Sequence, residues 1–240
     1  MEVESTRNAR GRIVRFLALF CLAVPLILSS VASPLRVEAA EKSKKQRAKI
    51  HREAQKAIKD GDFEKAIKLY TGLVEENGQD IQARLGVAFA AIKDQNYQLG
   101  YDQSGEALKQ DPENSRAHAL AGLALLRSGY LAVAAQQLSR ALALNPKEAI
   151  AHGAAAEIDY FEGRLRDSRA RAMQAYRLAP NEPDYLITIA RSSARIELFA
   201  EAAQAYELFL DTLPKSDTER RDRVRGLIQL YRRLTGLKIH

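Results

Sequence analysis

The sequence predicts an all-α chain, an array of helical hairpins stacked one after another. Three observations carry that expectation. Residues 111–130, "DPENSRAHALAGLALLRSGY", return as residues 145–164, "NPKEAIAHGAAAEIDYFEGR", with Pro112 and Pro146, His118 and His152, and Gly129 and Gly163 each 34 positions apart. Self-similarity at a fixed interval of this length marks a repeat architecture, in which each copy buries its apolar side against its neighbours. The composition is helical: 46% of the 240 residues are hydrophobic, alanine and leucine lead, and alternating β-branched runs are scarce. Finally, small residues recur at two fixed places of every copy, where two helices have to come close.

In chain order, the first element is a leader. Arg7, Arg10, Arg12 and Arg15 precede an apolar run from Phe16 to Leu28, and small residues follow. Positive, apolar, small is the order of a secretory signal peptide, so residues 1–40 are expected to be a signal peptide or an N-terminal membrane anchor. "SVA" before Ser33 and "VEA" before Ala40 both offer small residues for cleavage. Left uncleaved, the uncharged stretch 16–35 is a candidate membrane tether, weakened by Pro25 and by Ser29 and Ser30. Cys21 interrupts the apolar run and follows bulky Phe20, an arrangement unlike a lipidation site. It is the chain's one cysteine, so the body holds no disulfide or thiol nucleophile. The basic stretch 41–46 is expected to be a solvated linker, with contact to anionic headgroups as the alternative.

The body comes next. Pro112, Pro146, Pro180 and Pro214 are spaced by 34 and set the register of five copies: 47–80, 81–114, 115–148, 149–182 and 183–216. The eighth place of each holds Ala54, Ala88, Gly122, Ala156 and Ala190. The twentieth holds Ala66, Gly100, Ala134, Ser168 and Ala202. A larger side chain at such a helix crossing overpacks it by about 1–3 kcal/mol. The seventeenth place is a large plug: Phe63, Tyr97, Leu131, Leu165 and Phe199. Gly61, Gly129 and Gly163 open the turn between the two helices. Gln95 and Glu197 stand there in the other two copies and leave room for a different turn. Each proline ends the second helix of its copy, because its ring carries no N–H and cannot continue the ladder. Residues 217–240 place Val224, Leu227, Ile228, Tyr231 and Leu234 at helical spacing, with arginines opposite. This is an amphipathic helix suited to capping the array.

These hairpins resemble the tetratricopeptide repeat family over about 170 residues. The resemblance implies a right-handed α-solenoid of five hairpins plus the capping helix. It also implies that the first helix of each hairpin lines a concave groove for a peptide or a helix. Carried over place by place, the expected peptide-binding residues are Leu85, Phe89, Ile92 and Lys93, then Leu123, Leu126 and Arg127. Tyr160 and Phe161 belong to the fourth copy, and Ile187, Arg191 and Arg195 to the fifth. Ala119, Gly153 and Glu157 fall on the same face. Members of the family that clamp a chaperone's C-terminal carboxylate use lysine and asparagine where this chain has His51 and Gln55, so that partner is not expected.

Reactive chemistry is scarce. There is no G-x-S-x-G, no phosphate-binding glycine loop and no H-E-x-x-H, and no enzyme activity, cofactor or metal is expected. His118 and His152 occupy equivalent places in adjacent copies, yet no third ligand joins them, and they read as packing or surface residues. Glu157, Asp159 and Glu162 cluster on one helix and read as solvated or groove-lining acids. The net charge of +7 speaks to solubility rather than to a site. With tryptophan absent and the basic residues dispersed, nucleic acid is not an expected partner.

Together these features predict an exported, non-enzymatic scaffold, periplasmic or secreted. It would hold a protein or peptide partner in its groove during assembly of an envelope or secreted complex. An accessory subunit presenting substrates to an envelope enzyme is the alternative, with an RNA-reading helical repeat behind it.

Overall fold

The structure is a computed structural model and describes residues 34–237. Residues 1–33, which hold Cys21 and most of the expected leader and tether, lie outside the described residues. All eleven described elements are helices. They are α1 (Pro34–Asp60), α2 (Phe63–Glu76), α3 (Ile81–Lys93), α4 (Tyr97–Gln110), α5 (Ser115–Arg127), α6 (Leu131–Leu144), α7 (Ala149–Phe161), α8 (Leu165–Leu178), α9 (Asp184–Arg195), α10 (Phe199–Thr212) and α11 (Thr218–Leu237). The chain divides between Lys49 and Ile50, and the second part, Ile50–His240, carries the hairpins.

The basic stretch 41–46, expected to be a solvated linker, lies within the 27 residues of α1, and residues 43–46 are exposed. Lysine, arginine, glutamine and alanine are good helix formers, and no glycine or proline interrupts them after Pro34. Among the described residues, no helix is long and apolar enough to cross a membrane.

The period seen in the sequence survives in the backbone: α2, α4, α6, α8 and α10 begin at residues 63, 97, 131, 165 and 199. Their partners α3, α5, α7 and α9 begin at 81, 115, 149 and 184. Each hairpin closes over its small residues. Ala54, Ala88, Ala156 and Ala190 are fully buried, as are Ala66, Ala134, Ser168 and Ala202. At Gly100 a Cβ would stand 2.5 Å from Ile92 Cγ1, and at Gly122 one would stand 2.7 Å from Leu138 Cδ2. Even a methyl group needs repacking there. Ser168 and Ser192, both fully buried, satisfy each other through a 2.8 Å hydroxyl–hydroxyl bond.

The joints between hairpins use a second device. The Arg84 guanidinium donates to the Gly78 carbonyl at 3.0 Å, His118 Nε2 to that of Pro112 at 3.0 Å, and His152 Nε2 to that of Pro146 at 2.9 Å. A carbonyl can only accept, so Nε2 carries the proton in both histidines. The fourth place of these copies therefore clips its own helix to the turn before it. Leu186, in the same place of the last copy, is buried instead.

Three larger apolar clusters run along the stack. One joins the first two hairpins around Tyr70 and Leu73, and the next spans α3 to α7 around Leu120 and Leu138. The last covers α9, α10 and α11 around Phe209, Val224 and Ile228. In that last cluster Tyr231 of α11 stacks on Tyr206 and on Phe199, with ring centroids 6.0 and 6.1 Å apart. Arg221 donates to the Leu210 and Leu213 carbonyls at 2.9 and 2.7 Å, closing the end of α10. The array is thus capped on its C-terminal side.

The hairpins stack more closely on one side. The first helices touch one another in sequence, α3 with α5, α5 with α7, and α7 with α9, while the second helices chiefly meet the first helices beside them. The first helices therefore line the inner, concave face of a solenoid.

Candidate functional site

Four first helices meet at a concave depression, a cavity of about 250 Å³. Phe89, Ile92 and Lys93 come from α3, Leu123 and Arg127 from α5, and Gly153 and Glu157 from α7. Glu182, Asp184 and Tyr185, at the entry to α9, close its far side.

Of the twelve residues expected to bind, the structure brings five together here: Phe89, Ile92, Lys93, Leu123 and Arg127. Phe89 and Leu123 are half-buried, resting on the core with one face toward the cavity. Leu85 and Leu126, expected on the binding face, are instead 4% and 5% exposed and belong to the core, while Ile92, 6% exposed, belongs to the core and also lines the cavity. The reason is geometric: a first helix packed against the second helices on either side and against a neighbouring first helix has little circumference left to show. The remaining residues form a separate group farther along. Tyr160 lies beneath Arg191 and Arg195, whose guanidinium carbons stand 4.5 and 5.1 Å from its ring centre. Phe161 meets Tyr160 edge to face and is 58% exposed, while Ile187 packs against the last cluster.

The charges at the cavity have partners within the chain. Lys93 Nζ lies 2.7 Å from Asp184 Oδ2 and 3.0 Å from Glu182 Oε2, a link from the second repeat to the fourth and fifth. Burial works against the Lys93 charge, but Asp184 and Glu182 outweigh it and hold its pKa above the ordinary value. Arg127 grips Glu157 with both terminal nitrogens, one at 2.8 Å. Tyr185 lies across Gly153, where a Cβ would come within 2.2 Å of Tyr185 Cε1. Burial, helped by Glu182, pushes the Tyr185 phenol above its usual range.

Sequence reasoning missed Glu182, Asp184 and Tyr185. A signal was present: the third place of the middle copies is Ala83, Ala117 and Ala151, and in the last it is Tyr185. The fifth place of the copy before it is Gly153, a large residue matched with an absent one.

The acidic cluster on α7 also resolves differently from expectation. Glu157 lines the cavity, but Asp159 is 4% exposed and held by Arg164 and Arg171, the latter at 2.9 Å. It anchors the α7–α8 hairpin. Among the described residues, no group of three or more His, Cys, Asp or Glu is placed to hold a metal ion. A second depression, on the outer side between α8 and α10, is lined by Met173, Tyr176 and Leu208.

Comparison with known proteins agrees with this architecture. The family model described as tetratricopeptide repeat matches residues 105–149. No curated protein sequence matches the chain. Among solved structures, the chain is similar to TTC0263, a thermophilic TPR protein of Thermus thermophilus, at 20% identity over 76% of this chain and 99% of that one, with a TM-score of 0.63. It is also similar to pilF of Pseudomonas aeruginosa, at 17% identity over 78% and 89% of the two chains, with a TM-score of 0.53. At these identities the likeness is one of fold. The tetratricopeptide repeat model thus matches one part of a run of hairpins that keep one period and one pattern of small residues, and the fold is that of such repeats.

Proposed function

We propose that this chain is an exported, non-enzymatic interaction scaffold that holds a segment of a protein partner on its concave face. Its place is in the assembly of an envelope or secreted complex. A fold of this family points to protein–protein interaction as its work. Export is supported by the order of charges and apolar residues in the first forty positions. The observation that carries the partner site is the concave cavity itself. Phe89 and Leu123 form an apolar floor there, and Lys93 and Arg127 stand at its rim. A nucleic-acid partner fits poorly, because the cavity sets two cations, Lys93 and Arg127, beside an apolar floor and offers no basic stripe to follow a phosphate backbone.

The test begins with crosslinking and pull-down of the full chain from an envelope fraction, followed by calorimetry with the purified partner. The Phe89→Ser/Leu123→Ser variant is expected to bind at least about tenfold more weakly, a loss of roughly 1.4 kcal/mol. Binding is measured at a temperature where circular dichroism shows the variant folded. Affinity within about threefold of the parent's contradicts the assignment, as does turnover of a substrate by the purified protein.

A further inference from the structure

The concave site is already occupied by the chain itself. Glu182 and Asp184 sit on Lys93, and Tyr185 fills the space above Gly153 beside Phe89 and Leu123. We propose that residues 182–185, Glu-Pro-Asp-Tyr, are a resident stand-in for the partner, and that the partner segment is an acidic stretch carrying an aromatic side chain. This inference rests on the reading of the concave face as the partner site.

Three observations support it. The site selects for charge: the cations at its rim are answered by carboxylates from this segment and from Glu157. The site selects for shape, since glycine at 153 leaves a slot that an aromatic ring occupies. The cover is also weakly held. Glu182 and Asp184 side chains are 32% and 50% exposed, and ion pairs of that exposure contribute only about 0–1 kcal/mol. Pro183 gives α9 no side-chain cap, and the backbone here is held by Glu182 N–H to the Ala179 carbonyl and Leu186 N–H to the Pro183 carbonyl, so it is the side chains of Glu182, Asp184 and Tyr185 that a partner replaces. The occupant belongs to the chain itself, so a partner with the same chemistry displaces these side chains by making a few more contacts than they do.

The test is a titration of the full chain with the peptide acetyl-Glu-Pro-Asp-Tyr-amide, followed by NMR. The Tyr185→Ala variant and the Glu182→Gln/Asp184→Asn variant each vacate part of the site. Both are expected to bind the peptide at least about tenfold more tightly than the parent chain. Adding Lys93→Ala should remove the gain, and acetyl-Lys-Pro-Lys-Tyr-amide should show none. Equal affinity, within about threefold, for parent and variants overturns the proposal, as does a gain that survives Lys93→Ala. If Tyr185→Ala does not fold, the doubly neutralised variant decides alone. The concave-face reading stands or falls separately, on the response of the natural partner to Phe89→Ser/Leu123→Ser.

Discussion

Gln95 and Glu197 hold the conformation that glycine holds in the other three hairpins. Their φ values of 64° and 62° sit beside 78°, 88° and 79° at Gly61, Gly129 and Gly163. The sequence left room for a different turn at these two positions, and the structure has none. In each copy the next residue's N–H closes the same turn on a carbonyl five residues back, Asn96 on Ala91 as Asp62 on Ala57, both at 2.8 Å. Packing of the hairpin fixes the backbone, and the side chain has to comply. A left-handed non-glycine residue costs about 1–2 kcal/mol, partly offset by the greater freedom glycine has in the unfolded chain. Gln95→Gly is therefore expected to stabilise the protein by roughly 0.5–1 kcal/mol, read as a higher urea midpoint with an unchanged slope. A lower midpoint would show that the Gln95 side chain contributes more than its backbone costs. The small residues at the helix crossings were legible from the sequence because they obey a hard steric limit. The left-handed glutamine was not, because tertiary packing imposed it.

Helix starts differ between the two halves of the array. Asp62, Asp80, Asn96 and Asn114 each accept from the backbone N–H three residues on, at 3.2, 3.0, 3.2 and 3.0 Å. From α6 to α10 the capping positions are Tyr130, Glu148, Arg164, Pro183 and Leu198, and none makes such a bond. Helices in the second half accordingly rely more on packing and on ion pairs such as Arg164 with Asp159. Tyr130 is 62% exposed, so its ring contributes little burial. Tyr130→Asn should supply the missing acceptor to α6 and raise stability by about 1 kcal/mol, measured by thermal unfolding. No gain would mean that the Tyr130 backbone cannot present an acceptor to α6. At this scale the repeat period located the helices well, because proline and glycine punctuate them. It does not reach residues 41–46, which precede the first copy; their charge was read as solvation, and residues 43–46 are exposed along α1.

Along the whole run of hairpins in Ile50–His240, periodic stacking produces a concave face, and a departure from the period produces its most distinctive feature. Where the middle copies have alanine the last has Tyr185, and the preceding copy answers with Gly153. Place-by-place transfer from a family pattern puts Phe89 and Leu123 on one face, and both line the cavity, because the ninth place repeats. It assigns Leu85 and Leu126 to the surface because a linear pattern does not register how closely first helices crowd one another. It misses Glu182 and Asp184 because they act across repeats, reaching Lys93 about ninety residues earlier. The most direct measurement is hydrogen exchange on the chain with and without its purified partner. Added protection should fall on α3, α5 and α7, with faster exchange at Glu182 and Leu186, whose N–H groups bond to the Ala179 and Pro183 carbonyls, as the resident side chains are displaced. Protection confined to the outer side, at Met173 and Leu208 between α8 and α10, with the first helices unchanged, would contradict the account.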